Sequence, residues 1–284
     1  MNLRRFFLEN EYGQKYDMND AKKSCLLTEP SELGVSFEGN FQQLGNTFIE
    51  TEKRIAQKNP SGVLHFKKYE QYKNFIDFIQ KSSKLKYIYE MPLENGYDSY
   101  CKDVTIQSIG KTEKEAGFIS CPIVFNGLSL WYKADTATYT LNPIEGELRW
   151  DFEWNPIFSD YSTTKFDYIN KGHVDASLEL KINGNIKNPK IELYIEGELY
   201  QTISIDTQIN LNEKLLYSSK ENNFFIKKQL ENGTEESLFD LDIINFANDN
   251  VLRIPPNKSC EIRLSADTEI SYAQVTIYTY FISV

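Results

Sequence analysis

Histidine is nearly missing from this chain: His65 and His173 are the only two in 284 residues. A hydrolytic triad or an imidazole-based zinc centre therefore has almost nothing to draw on. His65 stands beside a strand-like run and His173 in a turn-like one. Neither has a neighbouring Ser, Cys or carboxylate arrangement that sequence would identify as catalytic, so both read as incidental. The four cysteines, Cys25, Cys101, Cys121 and Cys260, lie far apart with no Cys-x-x-Cys spacing. That pattern argues against a zinc knuckle or a redox pair and leaves buried free thiols as the expectation. Phosphate-loop, zinc-protease and nucleophile-elbow motifs do not occur. No catalytic, cofactor-binding or metal-binding residue is expected, and no cofactor.

Long apolar runs are also missing. None approaches the 18 or so residues that a spanning helix needs, so no membrane association is expected. The N-terminus "MNLRRFFLENEYG" turns acidic before any secretory apolar core could form, which points to a protein made and kept in a cytoplasm. Positive charge is in deficit: 31 Lys plus Arg face 41 Asp plus Glu, a net −10. That sign argues against tight binding of nucleic acid.

What the chain does have is strand pattern. The length suggests two domains, and a Pro/Gly break at "NPIEG", 142–146, separates segments of different texture, giving 1–142 and 143–284. In the first, "LGVSFEG" (33–39) reads as a strand with Leu33, Val35 and Phe37 on one face. The polar excursion after it, Asn40 to Ser61, reads as an exposed hairpin or arm. One helix is expected over Tyr69 to Lys81, because Tyr69, Tyr72, Phe75, Ile76 and Ile79 recur at helical spacing without Gly or Pro. In the second segment, about seven short alternating strands separated by polar turns predict an antiparallel sandwich of two sheets. Within it "DASLELKINGNIKNPKIELYIEGELY", 175–200, reads as one hairpin turned at "NGNIKNP".

Three further candidates are weighed and set aside. Glu147, Asp151 and Glu153 alternate with Leu148, Trp150, Phe152 and Trp154, which is the pattern of a solvated strand face rather than an acid and base pair. The acidic run "DLDIINFANDN" (240–250) lacks EF-hand spacing and reads as a surface loop. "NGT" at 232 and "NKS" at 257 match glycosylation acceptors, which carry meaning only in a secreted chain. Aromatic residues make up 14% of the chain, more than β-rich composition alone explains, so binding or assembly is favoured over catalysis.

The succession "FFLENEYGQKYDMND", "LTEPSELGVSFEGNF", "GVLHFKKYEQYKNFIDFI" and "YDSYCKDVTIQSIGKTEK" up to "GLSLW" resembles the N-terminal domain of siphophage distal tail proteins, a family also found in prophages and phage-tail-like particles. The resemblance implies a mainly β fold: a tail-tube-like split-barrel domain with one α-helix, followed by a galectin-like antiparallel β-sandwich. It further implies a homo-hexameric ring, single or stacked in two, at the tip of the virion tail, assembled in the host cytoplasm. That ring would surround a channel for DNA exit. Implied partners are the tail tube protein, the tape measure protein, and a tail-tip fibre or tail-associated lysin, with receptor-binding proteins or cell-wall glycan further out. The alternative is a carbohydrate-binding adhesion module, with Trp150, Trp154 or the tyrosines stacking on host glycans. Against a purely lectin role, the tryptophans share parity with Leu148 and Phe152, as core residues would.

Overall fold

The structure, a computed structural model, describes residues 3–140, 164–238, 244–245, 251–268 and 270–284. These fall into two compact units, Met1–Lys133 with Tyr280–Val284, and Ala134–Thr279. The Pro/Gly break at 142–146 and the "ELRWDFEW" stretch, with Glu147, Trp150, Asp151, Glu153 and Trp154, lie outside the described residues. So does most of 240–250.

The first unit opens with β1 (Arg5–Asn10), β2 (Lys15–Asp17) and β3 (Leu26–Ser31). The paired strands β4 (Phe37–Leu44) and β5 (Thr47–Ile55) follow, then β6 (Ser61–Phe66) and helix α1 (Tyr69–Gln80). Next come β7 (Leu85–Leu93), β8 (Gly96–Ile109), β9 (Ile119–Gly127) and β10 (Trp131–Thr140). The pairing path runs β2-β1-β7-β8-β9-β6-β3, every contact antiparallel. Its two ends approach again where Asn19 bridges Leu26 and Leu27 N–H donates to Met18 O at 2.9 Å, so the sheet wraps around its own core. β8 is long enough to serve both halves of that wrap: its first part pairs with β7 and its last residues with β9.

The enclosed core is aromatic-rich. Phe6, Tyr87, Phe125 and Trp131 are buried together with Leu8, Leu64, Phe66 and Ile123. Alternation places them there, since strands such as β9 show every second residue buried. Helix α1 packs Phe75 fully into this core, with Tyr72, Ile76, Phe78 and Ile79 partly buried around it. Tyr69, expected on the same stripe, is instead exposed and lies under Lys111 at 5.1 Å. The residue that anchors the helix start is Gln71, whose Oε1 accepts from the N–H groups of Lys67 and Lys68 while its Nε2 donates to the carbonyls of Ala21 and Lys22. This satisfies first-turn groups that a helix leaves orphaned.

The second unit is a β-sandwich, entered through β10 and left through the last strand, β22. It contains β11 (Thr164–Ile169), β12 (Ser177–Asn183), β13 (Ile186–Lys187), β14 (Lys190–Ile195) and β15 (Glu198–Ile205). Then come β16 (Gln208–Ile209), β17 (Lys214–Ser218), β18 (Phe225–Gln229), β19 (Glu235–Ser237), β20 (Ile244–Asn245), β21 (Ser259–Ser265) and β22 (Tyr272–Phe281). One sheet runs β19-β18-β17-β12-β22, the other β11-β21-β14-β15-β20. A single core joins them, with Leu178, Leu180 and Ile182 from the first facing Ile191, Leu193, Ile203, Ile262 and Leu264 from the second.

This topology corrects the reading of 175–200 as a hairpin. β12 pairs with β17 and β22, and β14 pairs with β15 and β21, so the chain crosses between sheets at "NGNIKNP" instead of turning back. The crossing is held by its own buried residue: Ile186 is fully buried and pairs with Ile209 of β16. Two successive alternating runs do not say whether they pair with each other, because alternation reports a buried face and not a partner.

Candidate assembly surface

None of the described residues forms a catalytic constellation. His65 lies between strands, its Nε2 2.8 Å from Thr28 Oγ1 and its Nδ1 3.1 Å from Ser120 Oγ, with no carboxylate behind it. His173 is exposed in a turn. Among the described residues no three His, Cys, Asp or Glu side chains converge as a metal site. The four cysteines are free; Cys25, Cys121 and Cys260 are buried and Cys101 is partly so. Burial raises all four thiols, Cys121 and Cys260 to about 11. Thiols held protonated in this way are poor nucleophiles.

The feature that stands out is the β4–β5 ribbon. Every residue from Phe37 to Arg54 is exposed. The polar excursion from Asn40 is thus a projecting hairpin, with its first strand beginning at Phe37. The strand expected at 33–39 is displaced accordingly. Leu33 packs against the core while Val35 and Phe37 are exposed, so the three do not share a face. Gly45 makes the turn, at the first loop position with φ 63, as a tight two-residue hairpin requires.

The register sorts the ribbon into two unlike faces. One carries Phe37, Phe41 and Phe48 with Ile55, interleaved with Gln43, Glu50 and Lys53, the last with its ammonium over the Phe37 ring at 4.6 Å. The other carries the pairs Glu38–Arg54 and Asn40–Glu52, joined by side-chain hydrogen bonds of 3.0 and 2.8 Å, and nearer the turn the exposed Leu44 and Ile49. Gly39 leaves room for the Glu50 carboxylate and the Phe41 ring, which a Cβ there would approach to 2.9 and 3.1 Å. Phe41 is 62% and Phe48 70% exposed. Sequence inspection noted the polarity of this stretch and missed the aromatic face; the recoverable signal is three Phe spaced through "SFEGNFQQLGNTFIE" around a Gly-Asn turn.

The ribbon is clamped at its root. Ala56 N–H donates to Ser36 O at 2.9 Å, and Lys58 pairs with Glu32 at 2.7 Å. Gln57 Nε2 donates to Gly127 O at 2.8 Å, and Gly127 N–H to Asn59 Oδ1 at 3.1 Å. A groove of about 500 Å³ lies at this root, between Glu32, Phe37 and Lys58. An exposed two-stranded ribbon gains little from its own cross-strand pairs, so these ties set its direction.

Beneath the root lies Lys102, an unexpected buried cation. Its Nζ donates to Ser129 O at 2.6 Å and sits 5.6 Å from the Trp131 ring. Burial, reinforced by the charge of Lys58, lowers its pKa to about 8.

Residues 5–128, which contain the wrapped sheet, the helix and the arm, match the family described as distal tail protein, N-terminal domain. That match assigns residues 5–128, somewhat less than half of the chain, to the distal tail N-terminal domain family. The fold is similar over 100% of both chains to a chain of the phage P2 baseplate in its activated conformation with Ca, at 16% identity and a TM-score of 0.67. The same baseplate with Sr gives the same values. The SPP1 Dit protein (gp 19.1), called a paradigm of hub adsorption apparatus in Gram-positive infecting phages, matches 96% of this chain and 98% of its own. That match has 10% identity and a TM-score of 0.55. At these identities the likeness is one of fold, and it extends through the sandwich that the family match leaves uncovered. No curated protein matches the chain. The fold is mainly β, as expected.

Proposed function

We propose that the protein is a structural hub of the virion tail tip that assembles with copies of itself into a ring of six, joining the tail tube to the tip and adhesion proteins. The observation that carries this reading is the arm: an exposed ribbon with a phenylalanine face, held rigidly at its root. A soluble monomer does not gain from keeping such a face in water, and a row of exposed apolar residues on a ribbon marks an association site. Copies related by rotation can each receive the arm of the next and close. The relatives' names, a distal tail domain and baseplate hub proteins, support the same place in the particle.

Six chains of −10 each carry −60. A channel not lined by Lys and Arg would let DNA pass without the counterion release that makes basic surfaces hold it. In this reading the two segments, 1–142 and 143–284, act as ring domain and outward-projecting domain. The tape measure protein and a tip fibre or lysin lie along the ring axis. Native mass spectrometry of the purified protein at micromolar concentration tests the reading: hexamers or their multiples are expected. A strict monomer, unchanged by added tail tube protein, overturns it.

A further inference from the structure

The first unit carries a cationic surface that runs against the acidic composition of the chain. Gln71 gathers two segments at the start of α1: its Oε1 accepts from the N–H groups of Lys67 and Lys68, and its Nε2 donates to the carbonyls of Ala21 and Lys22 at 3.2 and 3.1 Å. The backbone of Lys22, Lys67 and Lys68 therefore meets around one buried amide, with Lys23 next in the chain, and all four lysines are exposed. A third segment joins them from the connection between β8 and β9, where the Lys111 ammonium lies 5.1 Å from the Tyr69 ring and 5.9 Å from the Tyr72 ring. Tyr69, set among these lysines, is 60% exposed.

Segments 20–23, 67–73 and 111–115 together hold seven lysines and four carboxylates, a local charge of +3 in a chain of −10. Elsewhere lysines such as Lys58, Lys86, Lys133 and Lys228 are each paired with an aspartate or glutamate. Among the described residues none of Lys22, Lys23, Lys67, Lys68 and Lys111 has such a partner. Asp20, close along the first segment, spends a carboxylate oxygen on the Lys22 N–H at 2.8 Å. The N–H groups of Lys67 and Lys68 are likewise taken by Gln71, so the open feature is a surface of side-chain ammoniums around a tyrosine and not a bare helix end. Like charges gathered this closely repel one another, and the single chain gains no stability from holding them together.

We propose that this surface docks a carboxylate-rich segment of another protein, with the five lysines pairing its Asp and Glu side chains and Tyr69 packing on its apolar atoms. Three observations select that occupant over a nucleic acid or an anionic polymer. The three segments contain no arginine, and lysine is a mobile point charge without the fork that grips a phosphate on two oxygens. The patch is also small: α1, along one end of which it lies, is 12 residues or about 18 Å long. A duplex or a long polyanion would extend beyond it by more than a Debye length of about 10 Å, into the field of a chain of −10, whereas a short acidic segment ends within it. An exposed tyrosine at the centre suits a protein partner, since aromatic residues are enriched where proteins meet. The inference stands apart from ring formation, because each chain carries the whole patch.

The test uses the full chain and a fluorescent octaglutamate peptide, with double-stranded DNA and polyglycerol phosphate as comparisons. Anisotropy in 50 mM salt should give a dissociation constant on the order of 100 μM, weakened about tenfold in 300 mM salt. Lys67→Gln with Lys68→Gln should weaken binding by about tenfold, whereas Lys187→Gln, an exposed lysine of the second unit, should not change it. Both patch residues are exposed, so urea midpoints should stay the same. Carbodiimide coupling joins carboxylates to amines in contact with them, and peptide adducts mapped by mass spectrometry are expected on the five patch lysines and not on Lys171 or Lys187. The proposal is overturned if the peptide does not bind at 5 mM, if adducts fall outside the patch, or if binding survives replacement of Lys22, Lys23, Lys67 and Lys68 together by Gln. It is also overturned if DNA or polyglycerol phosphate binds the patch and the peptide does not, or if coupling without peptide links these lysines to a second copy of the chain.

Discussion

Gly127 backs directly onto Lys58: a Cβ at Gly127 would overlap the Lys58 carbonyl oxygen and come within 2.6 Å of Lys102 Cε. The root of the arm and the end of β9 are thus in backbone contact at a point where any side chain would separate them. Gly127→Ala is expected to destabilise the first unit by about 1–3 kcal/mol, because the obstacle is backbone that cannot rotate away. Chemical denaturation measures the loss. An unchanged midpoint would show that the root is not packed as described.

Stability and assembly should separate at the tip of the arm. Phe41 and Phe48 are exposed in the single chain, so Phe41→Ser with Phe48→Ser should shift unfolding by less than about 0.5 kcal/mol per site. The same pair should leave the protein monomeric by light scattering. Retained hexamers in the double variant would move the interface elsewhere.

Lys102 predicts a pH dependence of defined sign. Its pKa falls from 10.5 in the unfolded chain to about 8 in the fold. Below pH 8 both states are charged and the cost of burying the ammonium is fully present. Between about pH 8 and 10 the unfolded state binds more protons, so this group's contribution to stability rises with pH. Other groups, the raised thiols among them, act in the opposite direction, and comparison with Lys102→Met cancels them. Urea midpoints at pH 7.0 and 9.5 should show wild type gaining on the variant, by up to about 3 kcal/mol over the full range. Parallel profiles would exclude a depressed pKa.

Thiol chemistry should follow burial. In the native protein a disulfide reagent such as DTNB should react slowly with Cys101 and negligibly with Cys25, Cys121 and Cys260, whereas all four react after denaturation. Rapid native reaction of two or more thiols would contradict the burial described.

With a net charge of −10 per chain, no shift of double-stranded DNA is expected in 50 mM salt. Clear binding under that condition would remove the proposed role for the acidic excess.

The amino-acid sequence alone determined the local order of this protein. Period-two alternation marked the strands, the Gly-free run of Tyr, Phe and Ile marked helix α1, and the polar excursion from Asn40 marked an arm, because each of these depends on neighbours a few residues apart. The resemblance of residues 5–128 to the distal tail N-terminal domain was legible on the same ground, in the succession of such segments. Tertiary structure alone decided which strands are partners. β12 and β14 are adjacent in sequence and belong to different sheets, since the core gains from burying Ile186 at the crossing, and alternation carries no label of partner. It also decided that Lys102 is buried, that Gln71 rather than Tyr69 faces inward, and that Lys22, Lys67 and Lys111 border one surface. Those placements bring together residues as far as 89 positions apart, across strands whose pairing arises only when the sheet closes on its core.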